Sequence, residues 1–330
     1  MFDPAIFGHQ AIRQRLLERL EGGKLSGSLL FVGPAGIGKR RVAMELAQRE
    51  LCFRRNACGQ CAGCQLLQTE PLPLELPNLL RIVPEGKAGL IKIGTVRGDD
   101  LVEGGVIRWA HQASMANAHR WIVLEDAHRL NGASANMLLK ILEEPPSGTH
   151  FLLVTHRPEM MLQTIRSRCE RISFQPLKAA EAWAIAKAAG WEAADEARWS
   201  ALSAGTLRYL EAETFQRAEA QLQAWLAIAA GATIAEASES LLPDKTSDTA
   251  QSEQMAQCLE LLLRLLSDVA RLREGRKPEL APWQSELEVV ASKPLELKAP
   301  LDAIHTALRH LARNPFAESI LREVALTLRS

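Results

Sequence analysis

The stretch GPAGIGK at residues 33–39 decides the fold of this chain. Its glycines and its lysine have the spacing of a phosphate-binding loop, in which backbone N–H groups surround a phosphate. The apolar run Leu29–Val32 precedes the loop, and segment 42–47 carries apolar residues at helical spacing. A strand, a glycine-rich turn and a helix in this order direct a helix N-terminus at the phosphate. The loop alone leaves open an ordinary glycine-rich turn with an exposed lysine.

The residue after Lys39 departs from the pattern of an active ATPase. There a Ser or Thr hydroxyl ligates the Mg²⁺ on the nucleotide phosphates, whereas this chain has Arg40. A guanidinium has no lone pair to offer a cation. Gly33, Gly36, Gly38 and Lys39 remain candidates for contact with phosphate, but metal-assisted hydrolysis is expected to be impaired.

A second nucleotide-site pattern lies further along the chain. The apolar run Trp121–Leu124 predicts a buried strand, and Glu125 and Asp126 follow it. Such a pair supplies the carboxylate on Mg²⁺ and the residue that orients the attacking water. The usual order is Asp then Glu, and the reversal moves each charge by about 1 Å, enough to slow the chemistry. Helix capping explains an acidic pair at a strand end about as well.

Two further elements are predicted after the acidic pair. Apolar residues at helical spacing predict a helix over Ser134–Glu144, with Ser134 as its N-cap. The apolar run Phe151–Val154 predicts the next strand, and Thr155 at its tip is placed to sense a γ-phosphate. Segment 78–93 shows no catalytic constellation.

Four of the six cysteines lie within thirteen residues. Four thiolates at this spacing suit one tetrahedral Zn²⁺, and the absence of a further ligand nearby indicates a structural site. Reduced surface thiols or a redox pair are the alternatives. The candidate ligands are Cys52, Cys58, Cys61 and Cys64. The two isolated cysteines are predicted to be buried apolar residues: they are Cys169 and Cys258.

The bulk composition limits the class of protein. A length of 330 residues suggests two or three domains. The 39 basic and 39 acidic residues cancel, which argues against a strongly basic nucleic-acid binder acting alone, although a local basic face is compatible with it. No apolar run reaches the length of a membrane span. Met1–Pro4 lacks the features of a signal peptide, so we expect a cytoplasmic protein in which disulfides are rare.

Three motifs carry a resemblance to a known family. They are Glu125–Leu130, Leu138–Pro146 and Ser167–Cys169, in this order after the phosphate loop and the four cysteines. Together they resemble the bacterial DNA polymerase III clamp-loader subunits of the AAA+ class. The resemblance is strong over residues 5–175 and weak in the C-terminal half. The resemblance implies an α/β P-loop core, a parallel sheet with helices on both faces, followed by a small helical lid and an all-α collar.

The resemblance and a shift toward alanine, leucine and charged residues divide the chain into three predicted domains. Residues 1–175 form the nucleotide-binding core, with the zinc knuckle at 52–64. Residues 176–214 form the lid, and residues 215–330 form the collar, an oligomerisation domain.

Helices are predicted throughout the C-terminal half. They include Ala180–Ala189 and Met255–Arg273, separated by a region with a polar loop over 243–254. The last helix is predicted to begin at Pro315, with Asn314 as its cap.

The resemblance also implies roles for three side chains. Arg168 matches an arginine finger donated in trans to the ATP site of a neighbouring gamma subunit, where it stabilises the transferring phosphoryl group. A solvated surface arginine is the alternative. Thr155 matches the sensor-1 position, and Arg208 loosely matches the sensor-2 position.

The family includes ATP-hydrolysing gamma/tau subunits and a type with a degenerate ATP site, and the departures described above favour the second type. The resemblance then implies a structural member of a hetero-pentamer with the gamma/tau and delta subunits, within the DNA polymerase III holoenzyme, a DNA-directed DNA polymerase. That assembly uses ATP to place a sliding clamp on primer-template DNA. Expected cofactors are structural Zn²⁺ and, weakly or not at all, ATP or ADP.

Three alternatives remain. The first is a working gamma/tau-like ATPase, and the second is a zinc-stabilised scaffold without a clamp function. A DNA-binding protein that uses its cysteine knuckle is poorly supported, because no helix rich in Arg, Lys, Asn and Gln adjoins the knuckle.

Overall fold

The protein separates into two compact units. The computed structural model describes residues 8–25, 27–69, 71–85, 89–92, 105–112, 119–244, 248–311 and 317–328. The first unit comprises the described parts of 1–185 together with 205–207, and the second comprises those of 186–204 and 208–330.

One six-stranded sheet forms the centre of the first unit. Its order is β2-β3-β4-β5-β1-β6, and every pair is parallel except β2–β3 at one edge. The strands are β1 Ser28–Val32, β2 Glu75–Leu76, β3 Leu79–Ile82, β4 Arg120–Leu124, β5 Thr149–Thr155 and β6 Glu170–Ser173. Four of them, β1, β3, β4 and β5, are buried along their whole length, as expected of parallel strands covered on both faces.

Helices pack on both faces of this sheet. The packed helices include α1 Gln10–Glu21, α2 Lys39–Leu51, α4 Gly105–His111, α5 Gly132–Glu143 and α6 Gln163–Arg166. The short helix α3 Ala62–Gln65 lies in the cysteine segment, and α7 Ala179–Ala188 follows the sheet in the chain.

Alternate residues of each central strand enter two different hydrophobic cores, because successive side chains of a strand point to opposite faces. In β1, Leu29 and Phe31 join the cluster that contains the apolar residues of α1 and α2. Leu30 and Val32 join the cluster that contains those of α4 and α5. The α/β core that the apolar runs predict is therefore confirmed, and both faces of its sheet are packed.

The helix after the acidic pair begins two residues earlier than predicted. Its N-cap is Asn131, whose Oδ1 accepts from the Ser134 backbone N–H at 2.8 Å. The prediction that Ser134 is the cap was wrong, because Ser134 lies inside the first turn. There its hydroxyl donates to the Ile91 carbonyl at 3.0 Å.

The second unit consists of helices and their connections, with no strand among its described residues. Its helices are α8 Glu196–Ser203, α9 Ala212–Ala229, α10 Ile234–Leu241, α11 Asp248–Arg273, α12 Gln284–Ala291, α13 Lys298–His310 and α14 Ala317–Thr327. Two tryptophans anchor the unit's core: the Trp199 indole donates to the Tyr209 carbonyl at 2.8 Å, and that of Trp225 to the Cys258 carbonyl at 3.1 Å. None of the described helices is long and apolar enough to cross a membrane.

The predicted loop over 243–254 is largely helical, since α11 begins at Asp248. The polar residues there lack the apolar spacing that marks a helix, although Ala, Gln and Glu are good helix formers. Gln254 also fixes the preceding segment, because its Oε1 accepts from the Asp244 backbone N–H at 2.8 Å. The predicted cap Asn314 and Pro315 lie outside the described residues.

Candidate nucleotide site and metal centre

The predicted phosphate loop joins β1 to α2. Gly38, the residue before α2, has φ 93°, in the left-handed region that favours glycine. At Gly33 an added Cβ would lie 2.4 Å from the Phe174 carbonyl oxygen, so a larger residue would displace the backbone. Both glycines are therefore required by the shape of the loop.

Lys39 is buried inside the curve of this loop. Its Nζ donates to the Gly33 carbonyl at 2.7 Å and to the Pro34 carbonyl at 2.5 Å. A phosphate bound in the loop would exchange these carbonyl contacts for contacts with its own oxygens.

Two arginines hold the first acidic residue of the pair. Glu125 Oε2 accepts from Arg40 Nη1 at 3.0 Å, and Oε1 accepts from Arg81 Nη2 at 2.6 Å and Nε at 2.9 Å. Glu125 and Arg81 are buried, whereas Arg40 is exposed. Arg40, at the position of the missing Mg²⁺-binding hydroxyl, thus contacts the carboxylate that would hold the same ion.

Sequence reasoning missed Arg81, which lies in a segment where no catalytic constellation is visible. One signal was present, since a charged residue within the apolar run Leu79–Ile82 must find a partner when the strand is buried. The partner, Glu125, follows the neighbouring strand β4. Loss of one member of such a buried pair costs about 3–5 kcal/mol, because the other charge is left uncompensated.

The second acidic residue and the sensor-1 position form a cluster with two histidines. Asp126 Oδ1 lies 3.4 Å from His156 Nδ1. His128 Nδ1 lies 3.1 Å from the Thr155 hydroxyl, which also accepts from the Arg157 backbone N–H at 3.0 Å. Asp126 and His128 follow β4, whereas Thr155 ends β5 and His156 follows it. The two strands are neighbours, so the proximity of these residues comes from the sheet.

The electrostatics of this cluster follow from burial and from its charges. Burial, together with the nearby His156, lowers the pKa of His128 to about 3, so its imidazole is neutral at physiological pH. Burial alone would raise the pKa of Asp126, but the hydrogen bond from His156 and the positive charge of Arg129 outweigh it and lower that pKa.

A small cavity adjoins the phosphate loop within the first unit. His9 Nε2 lies 2.6 Å from the Ile37 carbonyl oxygen, and the Leu207 backbone N–H donates to the Gly36 carbonyl at 2.6 Å. The cavity volume of ≈ 10 Å³ is about that of one water, far below the roughly 300 Å³ of a small ligand pocket. Any ligand much larger than a water would have to displace these walls. The lining residues are Gly8, His9, Ile37, Gly38, Arg41, Val42, Leu177, Ile185 and Leu207.

Arg168 lies just after α6, with its side chain partly exposed. Its Nε donates to Glu143 Oε2 at 2.8 Å and its Nη1 to the Thr164 carbonyl at 3.2 Å. Surface ion pairs of this kind contribute at most about 1 kcal/mol, so the guanidinium can exchange these partners for others at low cost.

Arg208 belongs to the second unit. Its Nη1 donates to Glu260 Oε2 in α11 at 2.5 Å. Its sensor-2 role stays a prediction.

The four clustered cysteines converge as a metal centre requires. Their sulfurs lie within 4.8 Å of one another, and three pairs are 3.6, 3.9 and 4.0 Å apart. Zn–S bonds of 2.3 Å in a tetrahedron place sulfurs about 3.8 Å apart. At Gly63, between two of the ligands, an added Cβ would lie 1.8 Å from the Leu51 carbonyl oxygen. The cluster therefore has the geometry to hold a zinc ion.

The tendency to ionise differs between the thiols of the cluster. Burial opposes ionisation of Cys52, but backbone donors from Cys58, Asn56 and Arg54 lower its pKa to about 6, which favours the thiolate that metals bind. Burial raises the pKa of Cys64 to about 12, so a metal ion would have to displace its proton.

Cys169 and Cys258 are buried outside this cluster, as predicted. Burial raises the pKa of each thiol to about 12, so neither is an activated thiolate.

The core and its loop define a class of protein. A loop with the spacing of a phosphate-binding loop follows β1, an acidic pair follows β4 and Thr155 ends β5, and the carboxyl ends of these parallel strands meet at one edge of the sheet. This arrangement, followed by helical segments, is that of a P-loop domain of the AAA+ class.

The family model described as "DNA polymerase III, delta subunit" matches residues 8–178, more than half of the chain. The chain therefore belongs to this family.

Relatives with assigned names confirm the resemblance found in the sequence. DNA polymerase III subunit delta' of Pseudomonas aeruginosa is 41% identical over 143 residues, which cover 42% of this chain and 40% of the relative. The subunit delta' of Escherichia coli is 31% identical over 159 residues, which cover 47% of this chain and 44% of the relative. Subunit gamma/tau of Mycobacterium tuberculosis is 30% identical over 176 residues, which cover 52% of this chain and 28% of the relative. The chain thus spans less than half the length of these relatives.

A solved structure, a DNA polymerase III gamma subunit-related protein from Thermotoga maritima, aligns with 95% of this chain at 17% identity and a TM-score of 0.47.

Proposed function

We propose that this chain acts as a non-hydrolysing, delta-prime subunit of the replicative clamp loader. One observation carries the proposal: Glu125 is held between Arg40 and Arg81. The acidic group that would bind Mg²⁺ is neutralised by two guanidinium groups, one of which stands in place of the Mg²⁺-binding hydroxyl. The chain would keep the shape of a P-loop ATPase without its metal site.

In this role the chain is a structural member of a hetero-pentamer with gamma/tau and delta subunits. The assembly would load the sliding clamp on primer-template DNA in the cytoplasm, as part of the DNA polymerase III holoenzyme. The core over 1–175 would carry a structural zinc ion, with 176–214 as the lid and 215–330 as the collar. The names of the relatives support this assignment, since both delta' and gamma/tau subunits are among them.

Arg168 would act on a neighbour. Its partly exposed position after α6, where its partners among the described residues are a surface carboxylate and a carbonyl, suits a guanidinium donated to another subunit's ATP site. Any nucleotide in this chain's own loop would contact Lys39 and the glycine backbone, with weak affinity.

The purified chain alone is expected to show no ATP hydrolysis in the presence of Mg²⁺. The expectation follows from the occupied Glu125 carboxylate and the missing Mg²⁺-binding hydroxyl. Phosphate release over hours, with a gamma/tau subunit as the positive control, measures it. Turnover that Lys39→Ala abolishes would favour the rival interpretation, a working gamma/tau-like ATPase, which the intact lysine of the loop supports.

Arg40→Thr is expected to tighten binding of ATP in a Mg²⁺-dependent way by roughly tenfold. The substitution supplies a hydroxyl ligand and releases one oxygen of Glu125, and an interaction with a charged group contributes about 1.5–3 kcal/mol. Isothermal titration with and without Mg²⁺ measures the change. Arg49→Thr is the matched control, because Arg49 lies in the same helix about 14 Å further along its axis. Equal affinities of wild type and Arg40→Thr would place the defect in Glu125 and Asp126.

A further inference from the structure

Three side chains at the ends of β4 and β5 form a group, and the two histidines among them have no role in phosphate binding or in the arginine finger. Asp126, His128 and His156 each present one ligand atom, and these atoms lie within 4.8 Å of one another. The rings of the two histidines are perpendicular, with centroids 4.6 Å apart and an interplanar angle of 78°. We call these residues the Asp–His–His cluster.

The spacing of the cluster suits a transition-metal ion. Zinc binds imidazole nitrogen and carboxylate oxygen at 2.0–2.2 Å, so two ligand atoms of a tetrahedral site lie about 3.4 Å apart. The separation between Asp126 Oδ1 and His156 Nδ1 is 3.4 Å. A modest approach of His128 would complete three ligands around one ion.

His128 is already oriented as a metal-bound histidine is. Its Nδ1 is hydrogen-bonded to the Thr155 hydroxyl at 3.1 Å, and Thr155 is itself held by the Arg157 backbone N–H. In metal sites, the ring nitrogen that does not bind the ion makes a hydrogen bond of this kind, which fixes the orientation and the tautomer of the ring. With Nδ1 engaged by Thr155, Nε2 is the nitrogen of His128 that we assign to the ion.

The donor set decides which ion fits. Mg²⁺ prefers oxygen ligands, whereas two imidazoles and a carboxylate suit Zn²⁺ and its neighbours in the transition series. Arg129 and Arg157 act electrostatically on His128 and oppose any cation, so the ion must be held by directed coordination bonds.

We propose that Asp126, His128 and His156 bind one divalent ion of the Zn²⁺ class, with the fourth position open to water. The site would lie at the ends of β4 and β5, beside the carboxylate that Arg40 and Arg81 have neutralised. It is separate from the four-cysteine centre and does not depend on a clamp-loader role.

The test is a metal titration of the whole chain, purified without a histidine tag and with zinc already on its cysteines. Co²⁺ binds more weakly than Zn²⁺ and should not displace the zinc from the four thiolates. Added Co²⁺ therefore reports binding at the Asp–His–His cluster. We expect one further equivalent of Co²⁺ with visible absorption and no thiolate charge-transfer band. Asp126→Asn and His156→Gln should each weaken Co²⁺ binding at least tenfold, whereas His305→Gln, a change at an exposed histidine of α13, should not.

Thr155→Ala provides a variant that keeps all three ligands. It removes the hydroxyl that orients His128 and should weaken the binding of Co²⁺ at the Asp–His–His cluster by about tenfold. Circular dichroism confirms that each variant is folded. The proposal is overturned if the zinc-loaded wild type takes up no further Co²⁺, if its absorption is that of a thiolate site, or if folded Asp126→Asn and His156→Gln bind as the wild type does.

Discussion

Arg168→Ala is expected to reduce ATP turnover at the neighbouring gamma/tau site by about 10³-fold or more when the clamp-loader assembly is reconstituted with this chain. An arginine that reaches a transferring phosphoryl group stabilises the charge that develops there, and its loss costs this much in rate. The DNA-stimulated ATPase activity of the assembly measures the effect. The variant should remain folded, since the contacts of Arg168 within the described part of the chain are a surface pair with Glu143 and one carbonyl contact.

Arg166→Ala is the matched control for this experiment. Arg166 is the last residue of α6, two positions before Arg168, and it is exposed. Arg168→Lys adds a finer test, since it keeps the charge but loses the planar, forked donor group. We expect Arg166→Ala to leave turnover unchanged and Arg168→Lys to lose most of it. Equal turnover in the wild type and in Arg168→Ala would remove the finger assignment and leave Arg168 as a surface arginine.

The fold was predictable where a single local pattern dominates. The runs at Leu29–Val32 and Trp121–Leu124 became β1 and β4, each extended by one residue, because parallel strands buried on both faces are apolar throughout. The start of α11 was not predictable in this way, since its first turns carry no apolar stripe. The cap of α5 was misplaced because Asn131 and Ser134 are both favourable cap residues and only the backbone geometry separates them.

The candidate site was predictable in its residues but not in its contacts. The residue types at Arg40 and Glu125 indicated an impaired metal site, yet the contact between them joins residues 85 positions apart. Arg81 and the histidines of the Asp–His–His cluster were missed for the same reason. A lone arginine or histidine carries no local pattern, and its role depends on which strand the fold places beside it.

The second large effect is expected at the cysteine cluster. Wild-type protein should release about one zinc ion per chain when a thiol-specific mercurial is added, and Cys64→Ser should release little or none. Cys64 is fully buried and lies within the four-residue helix α3 at the end of the knuckle. Structural zinc sites contribute about 10–16 kcal/mol of apparent binding free energy, so loss of one ligand should unfold residues 52–64 and expose them to protease.

Cys169→Ser is the matched control, since it makes the same substitution at a buried cysteine outside the cluster. It should keep its zinc and its protease resistance near the knuckle. The expected damage in Cys64→Ser is local: Cys52 lies at the end of α2, whereas the sheet is held by two hydrophobic cores in which none of the four cysteines takes part. A wild type that is folded without metal, or a Cys64→Ser protein that keeps its zinc, would contradict a structural zinc site. A sheet that unfolds together with the knuckle would show that the ion stabilises the whole first unit and not the knuckle alone.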